Sequence, residues 1–379
     1  MKAPRQLLAA AILAALSTPA FAEITIDVVG GSEVSLEGLV QFDYNDFDSD
    51  VLDLDADGHD GSGSDNELRR AEIVLKGKGP GQWNWVVGYD AKADKFLDAN
   101  IGYRFSGSTS IVVGQYKQPN SLEELSSTKN NDFISKAMVT NTFAVARRLG
   151  VGMTYAGDDW TITGSAFGRE LTRNLAHGAG FGGRVTWAPV NDSGRLLHLG
   201  LSAVDMDTDA DSLRLRTRPQ ADLAAQRLVD TGTMTDADRQ RTLGLEGIWV
   251  HDAFKAQGEY MRTTVDRYAS PDDFSGDSWY LSGLWNVTGE TWGYKNGVIA
   301  TGGPAEPSTG MVQLGLRYDA IDLDDGGVLG GEMSSWTAGV NWYWRSNYKF
   351  ALNYVAVDSE RRGVSDDPNI LEARVQFFW

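Results

Sequence analysis

Residues 212–222 read SLRLRTRPQAD and set Arg214, Arg216 and Arg218 two positions apart. In an extended backbone successive side chains take opposite faces. The three guanidinium groups would then share one face, roughly 7 Å apart at about 3.3 Å rise per residue. Like charges stacked this way repel one another and call for a counter-anion, and the planar guanidinium fork matches phosphate-type oxyanions. Further arginines stand as a pair at Arg69 and Arg70 and singly at Arg227. The chemistry these residues suggest is capture of an anion.

Bond-making chemistry finds little support. The four histidines, His59, His177, His198 and His251, are scattered, and the chain has no cysteine, no HExxH and no GxSxG. It is read as no enzyme, with no cofactor. Asp53, Asp55, Asp57 and Gly58 match the first half of a calcium loop, but its twelfth position is Ser64 rather than glutamate. A flexible acidic loop with at most weak calcium affinity is expected there. A formal charge of −18 disfavours nucleic acid as a partner.

The elements that position the arginines emerge from the rest of the chain. Lys2 and Arg5 precede an apolar run from Leu7 to Leu16, and Ala20-Phe21-Ala22 gives a small-x-small cleavage pattern. Residues 1–22 are therefore expected to be a signal peptide cleaved near Ala22, leaving 23–379 as the mature domain. No later apolar stretch is long enough for a membrane helix. Instead, period two recurs. Val34, Leu36, Val40, Phe42 and Tyr44 oppose Ser35, Glu37, Gln41 and Asp43, with Leu39 breaking the polar face. Trp336, Ala338, Val340, Trp342 and Trp344 oppose Thr337, Gly339 and Asn341, and the same pattern runs through 348–355 and 371–379. Aromatic residues at both ends of an apolar stripe form the girdle pattern of a barrel strand in lipid.

Sixteen strands are predicted, beginning near Glu33, Leu68, Trp83, Leu97, Ser110, Leu149, Trp160, Phe181, Leu196, Thr242, Phe254, Ser278, Met311, Ser335, Tyr348 and Asn369. Turn-like connections such as 77–82, 156–159 and 345–347 alternate with long acidic ones at 48–66, 117–148 and 205–241. The expected fold is all-β: a 16-stranded antiparallel transmembrane β-barrel with long extracellular loops and short periplasmic turns. One connection, 286–310, lies on the short-turn side yet is long. On this topology Lys76, Lys78, Lys255, Lys295 and Lys349 map to the periplasmic side. Arg69, Arg70, Arg147, Arg148, Arg169, Arg173, Arg239 and Arg241 crowd the outer half with the 214–227 set. Arginines first and lysines last would draw an anion inward and release it. Glu72, Asp90, Asp98, Glu246 and Glu259 share the inward parity and oppose it.

With these features the chain resembles the phosphate- and polyphosphate-selective porin family of Gram-negative outer membranes. The resemblance rests on NELRRAE (66–72), GQYKQP (114–119), LSSTKNNDFISK (125–136), ARRLGVGM (146–153), LRLRTRP (213–219), QRLVDTG (226–232), EGIWVHDAFKAQGEYM (246–261) and NVTGE (286–290), and it covers essentially the whole mature chain. It implies homotrimers in the outer membrane, among lipids and lipopolysaccharide, passing phosphate, pyrophosphate or polyphosphate. It places Arg214, Arg216 and Arg218 on an arginine ladder and Arg69 and Arg70 on paired arginines. Parity turns Arg70 inward with Val74 and Lys76, and Arg69 towards lipid or the rim. Ser126, Ser127 and Thr128 fall in a constriction loop, about 117–148, that folds into the barrel; Lys129 and Lys136 share it. Lys295 resembles a member of a periplasmic lysine group. Where the phosphate-binding members carry a tyrosine after the arginine pair this chain has Glu72, and in place of a constriction lysine it has Glu124. Those carboxylates favour one rival, a non-selective or cation-preferring porin on the same barrel. A second rival is a secreted β-rich enzyme or glycan-binding protein.

Overall fold

The structure, a computed structural model, describes residues 24–28, 32–55, 62–172 and 178–379. The expected leader 1–22, Asp57 and Arg173 lie outside the described residues. Sixteen antiparallel strands among the described residues form one closed barrel. They are β1 (Ser32–Asp48), β2 (Ser62–Lys78), β3 (Trp83–Asp90), β4 (Lys95–Arg104), β5 (Thr109–Lys117), β6 (Arg147–Ala156), β7 (Trp160–Phe167) and β8 (Gly180–Asp192). The ring continues through β9 (Arg195–Asp207), β10 (Ala237–His251), β11 (Phe254–Arg267), β12 (Phe274–Asn286), β13 (Met311–Asp325), β14 (Val328–Trp344), β15 (Tyr348–Arg361) and β16 (Asn369–Phe378). Each strand pairs with its neighbours in sequence, and β16 returns to β1 with Gln41 opposite Gln376 and Asp43 opposite Arg374. The strand Ile24–Val28 occupies the lower edge of β1 that β16 does not reach, with Ile26 opposite Val34.

Alternation decides which way each side chain points. On β14, Trp336, Val340 and Trp342 are exposed on the outer surface, while Thr337 and Asn341 are buried inside. On β15, Leu352 and Tyr354 face out and Lys349 and Asn353 face in. The outward aromatics gather in two belts. Trp279, Tyr318 and Trp336 neighbour one another across β12–β14, with centroids 5.3 and 4.9 Å apart. Trp342, Phe350, Tyr348, Phe377 and Trp379 do so at the other rim. Trp336 and Trp342 lie six residues apart, roughly 20 Å at about 3.4 Å per residue, which matches an apolar band. A Lys or Arg at the middle of that band would cost about 2–4 kcal/mol, which is why the outward face stays apolar there.

The connections differ from a uniform pattern of long loops and short turns. Above β13 and β14 the outer connection is only Gly326-Gly327, with Gly326 at φ 56°. The strands there rise well past the Trp336 level and meet in a tight hairpin. Below the membrane, 287–310 contains a hairpin, Trp292–Lys295 paired with Val298–Thr301. It folds up into the barrel, because Trp292 and Ile299 bury against Leu122, Leu196, Ile248, Val250 and Leu284.

Inward parity does not mean water throughout. In the outer third, inward positions become apolar, among them Phe47, Val265, Phe274, Ile321, Met333 and Val355. Onto them pack Met138, Val139 and Phe143 of the loop between β5 and β6, and Leu215, Leu223, Leu228 and Val229 of the loop between β9 and β10. These two loops therefore fill much of the outer mouth with an apolar plug, leaving the passage to one side.

Candidate functional site: a neck beside the folded-in loops

The loop 118–146 carries two short helices, α1 (Leu122–Leu125) and α2 (Met138–Phe143), and the barrel wall holds it by its backbone. Buried backbone groups need partners, and wall side chains supply them. The Glu259 carboxylate accepts from the Leu122 and Glu123 amides at 2.8 and 2.9 Å. Asp319 accepts from Met138 N at 3.1 Å. From the same run of strands, β13 to β16, Arg317 donates to Ser135 O, Lys349 to Asn131 O and Arg374 to Ile134 O. Lys255 pairs with Asp132 at 2.6 Å. Lys255 and Lys349 were expected on the exit side of an anion path. They face inward, but each is engaged in holding the constriction loop.

The loop leaves two polar cavities between itself and β2–β6. The outer one, about 310 Å³, is bounded by Arg69, Arg70, Lys136 and Arg147 and by Asp90, Glu170 and Asp222. The inner one, about 420 Å³, is bounded by Lys76, Lys117, Lys129, the loop hydroxyls and the 298–300 edge of the periplasmic hairpin. Glu72, Leu97, Thr128 and Arg147 belong to both linings and mark the neck. Arg147 binds Asp98 through two bonds of 3.2 and 3.1 Å. Lys136 pairs with Glu124, and Lys117 donates to Glu124 O and Ser126 O. Burial alone would raise the Glu124 carboxyl, but Lys136 and Lys117 beside it hold it down at about 2. Asp222, reaching in from the 208–236 loop, is likewise held at about 2 against burial by Arg69, Arg374 and Arg70. Arg70 lies 3.5 Å from Glu72, and its Nη1 is buried with no hydrogen-bond partner among the described residues.

The arginine strip lies on the loop between β9 and β10. Leu215 and Thr217 are buried and Arg214 and Arg216 exposed, so alternation holds, and Arg216–Thr217 pairs with Val229–Asp230 in a two-rung ladder. Arg214 binds Asp230, with Nε at 2.7 Å. Arg218 donates to Ala224 O at 2.6 Å and stands within electrostatic range of Arg216 and Arg69. Burial and the neighbouring Arg218 and Arg216 push Arg227 below the usual arginine value. Arg216 and Arg227 carry no ion pair among the described residues.

Other expected site residues fall as follows. Ser126 and Ser127 line the inner cavity, and Ser126 Oγ donates to Glu123 O at 2.7 Å. Lys129 lies over the Phe378 ring, 5.7 Å from its centroid. Lys76 faces inward and pairs with Glu37 at 2.5 Å. Lys295 is exposed near the tip of the periplasmic hairpin and lines neither cavity. Asp53 and Asp55 belong to no group of three potential metal ligands among the described residues. The expected outward placement of Arg69 is corrected. Gln41 pairs with Arg70 but Phe42 with Leu68, so Arg69 is the extra residue of a β-bulge. The bulge lets it turn inward to Asp222, at 3.1 and 3.0 Å.

Lys117 was not singled out as a path residue, and Arg147 was placed only among the arginines crowding the outer half. Val151, Met153 and Tyr155 face out, so parity would send Arg147 outward too. Ala146 immediately before it is left-handed, at φ 58°, and the strand has only begun, so parity does not govern it. The one usable signal was its place in the paired Arg147-Arg148 at the junction of the long loop and a strand.

A closed barrel with girdled outer face, folded-in loop and charged neck defines an outer-membrane porin. The profile of the family described as phosphate-selective porin O and P matches residues 34–379, and the chain belongs to that family. Porin O of Pseudomonas aeruginosa is 23% identical over 433 aligned positions, covering 97% of each chain. A protein of Caulobacter vibrioides is 28% identical over 356 residues, covering 87% of this chain and 69% of that one. Among solved structures, OmpT of Vibrio cholerae superposes with a TM-score of 0.61 at 10% identity, over 94% of this chain and all of that one. An anion-selective porin from Comamonas acidovorans gives 0.58 at 11%, over 92% of this chain and all of that one. At those identities the likeness is one of fold.

Proposed function

We propose that this porin passes phosphate-bearing anions passively, without catalysis. The observation that carries the reading is the guanidinium series from Arg216, Arg218 and Arg227 at the mouth to Arg69 and Arg70, ending in the unpartnered Nη1 of Arg70 beside the outer cavity. Arg214 stands at its outer end. Lys136 shares the outer cavity with Arg70; below it the hydroxyls of Ser126, Ser127 and Thr128 offer neutral donors, with Lys129 and Lys76 alongside in the inner cavity. Several moderate sites in series suit conduction better than one tight site. The family's description as phosphate-selective and the anion-selective relative in fold support the same direction. Cleavage near Ala22, trimeric assembly and contact with lipopolysaccharide belong to this proposal. Lys295, exposed towards the periplasm, is assigned a part only in release.

A second reading, a weakly selective or cation-preferring porin, is favoured by Glu72, Asp90 and Asp98 along the path. Reversal potentials of single channels in a salt gradient separate the two. Anion preference is expected, and Arg216→Glu should reduce it; a cation-preferring sign in the unmodified channel would overturn the proposal.

A further inference from the structure

The path does not carry the surplus of positive charge that passage of a bare anion would favour. Among the described residues, five cationic side chains line the outer cavity against five carboxylates, and four line the inner cavity against three. Glu124 and Asp222, each held at about 2, are fully ionised near neutral pH. The charges are also unequally satisfied. Asp98 receives two hydrogen bonds from Arg147, and Asp90 accepts from the Ala71 and Lys92 amides. Glu72 accepts no hydrogen bond among the described residues and has only the 3.5 Å approach of Arg70 Nε. At the neck, then, an under-satisfied carboxylate from β2 and the Arg147 guanidinium from β6 share one opening, with the Thr128 side chain and the orphaned Arg70 Nη1 close by.

A phosphate arriving along the arginines is attracted by Arg147 and Arg70 and repelled by Glu72. A solute that brings its own cation turns that repulsion into a contact. We infer that the neck suits small solutes bearing an ammonium group a few bonds from a phosphate or phosphonate. The oxyanion lies towards Arg147, Thr128 and Arg70 Nη1, and the ammonium towards Glu72. The inference rests on the proposed phosphate reading and narrows its substrate class.

The test uses the full-length channel in planar bilayers, comparing block of chloride current by O-phosphoethanolamine and by glycerol 3-phosphate. The two probes share the phosphate and differ in an ammonium for a hydroxyl. O-phosphoethanolamine is expected to block at roughly tenfold lower concentration, the scale of one charge-assisted contact. Glu72→Gln should erase that advantage while leaving glycerol phosphate block equal or stronger, and Glu72→Asp should keep it. Equal block of the unmodified channel by both probes, or a parallel change in both on Glu72→Gln, would overturn the inference and leave the phosphate reading standing. Absence of block by either probe would overturn both. Should Glu72→Gln fail to fold, the two-probe comparison on the unmodified and Glu72→Asp channels still decides.

Discussion

Arg374 faces two partners at once, and its position shows how the interior holds charge. It binds Asp43 across the closing seam at 2.7 and 2.6 Å and donates to Ile134 O of the constriction loop at 2.9 Å. Both Arg374 and Asp43 are buried. Arg374→Ala would strand a buried carboxylate, a loss expected to cost about 3–5 kcal/mol. Urea unfolding of the reconstituted barrel should show it, and a shift within about 0.5 kcal/mol would contradict this account. At this scale the sequence was legible where strands are regular: Arg374, Asp43 and Gln376 were all assigned inward by parity. It misled at Arg69, because a bulge adds one residue and reverses the parity that follows. Neither LRRAE nor its neighbours carry a glycine or proline to announce that bulge.

The constriction loop is an element fastened by charges, and its response to acid follows from them. Glu124 ordinarily titrates near 4.5 and Asp222 near 3.8, and both are held at about 2 in the folded chain. Because the folded values are depressed, their contribution is complete above the ordinary values and fades as pH falls towards about 2. Any change in single-channel conductance that comes from Lys136 and Arg69 losing these partners is therefore expected only below the ordinary carboxylate range. A transition complete well above 4.5 would show that these two pairs do not control the conductance. The existence of this loop and its span were legible from a long polar connection with a matching motif. Its anchors were not, because pairing Lys349 with Asn131 O or Lys255 with Asp132 requires the curvature of the closed wall. The same holds for the periplasmic hairpin. Its length was visible, but its upward fold depends on Trp292 and Ile299 finding apolar ground on β9, β10 and β12.

For the molecule as a whole, sixteen strands in their order could be read directly, since alternation, turns and girdle aromatics all agree. The apolar mouth plug was hidden, because short apolar runs in a long acidic loop look like any other loop until the inward faces of Phe274, Ile321 and Val355 are set opposite them. Closure depends on a fit visible only in three dimensions. Gly38 and Trp379 exchange backbone hydrogen bonds of 3.2 Å, and a Cβ on Gly38 would lie 2.0 Å from Trp379 Cζ2. Gly38→Val should unseat the indole at an overpacking cost of about 1–3 kcal/mol. It would lower the temperature at which the compact band in SDS gels converts to the slower, unfolded one. An unchanged conversion temperature would mean that the indole moves aside freely.

The two edges that complete the ring are far apart along the polypeptide: Gln41 bonds to Gln376, 335 positions away. Until the last strand has been made, residues 39–48 of the first have no partner on that side. An unfinished chain therefore leaves a sheet with two raw edges and a row of greasy aromatics at the same time. Closure of the ring must therefore wait for β16, however early the other fifteen strands are made.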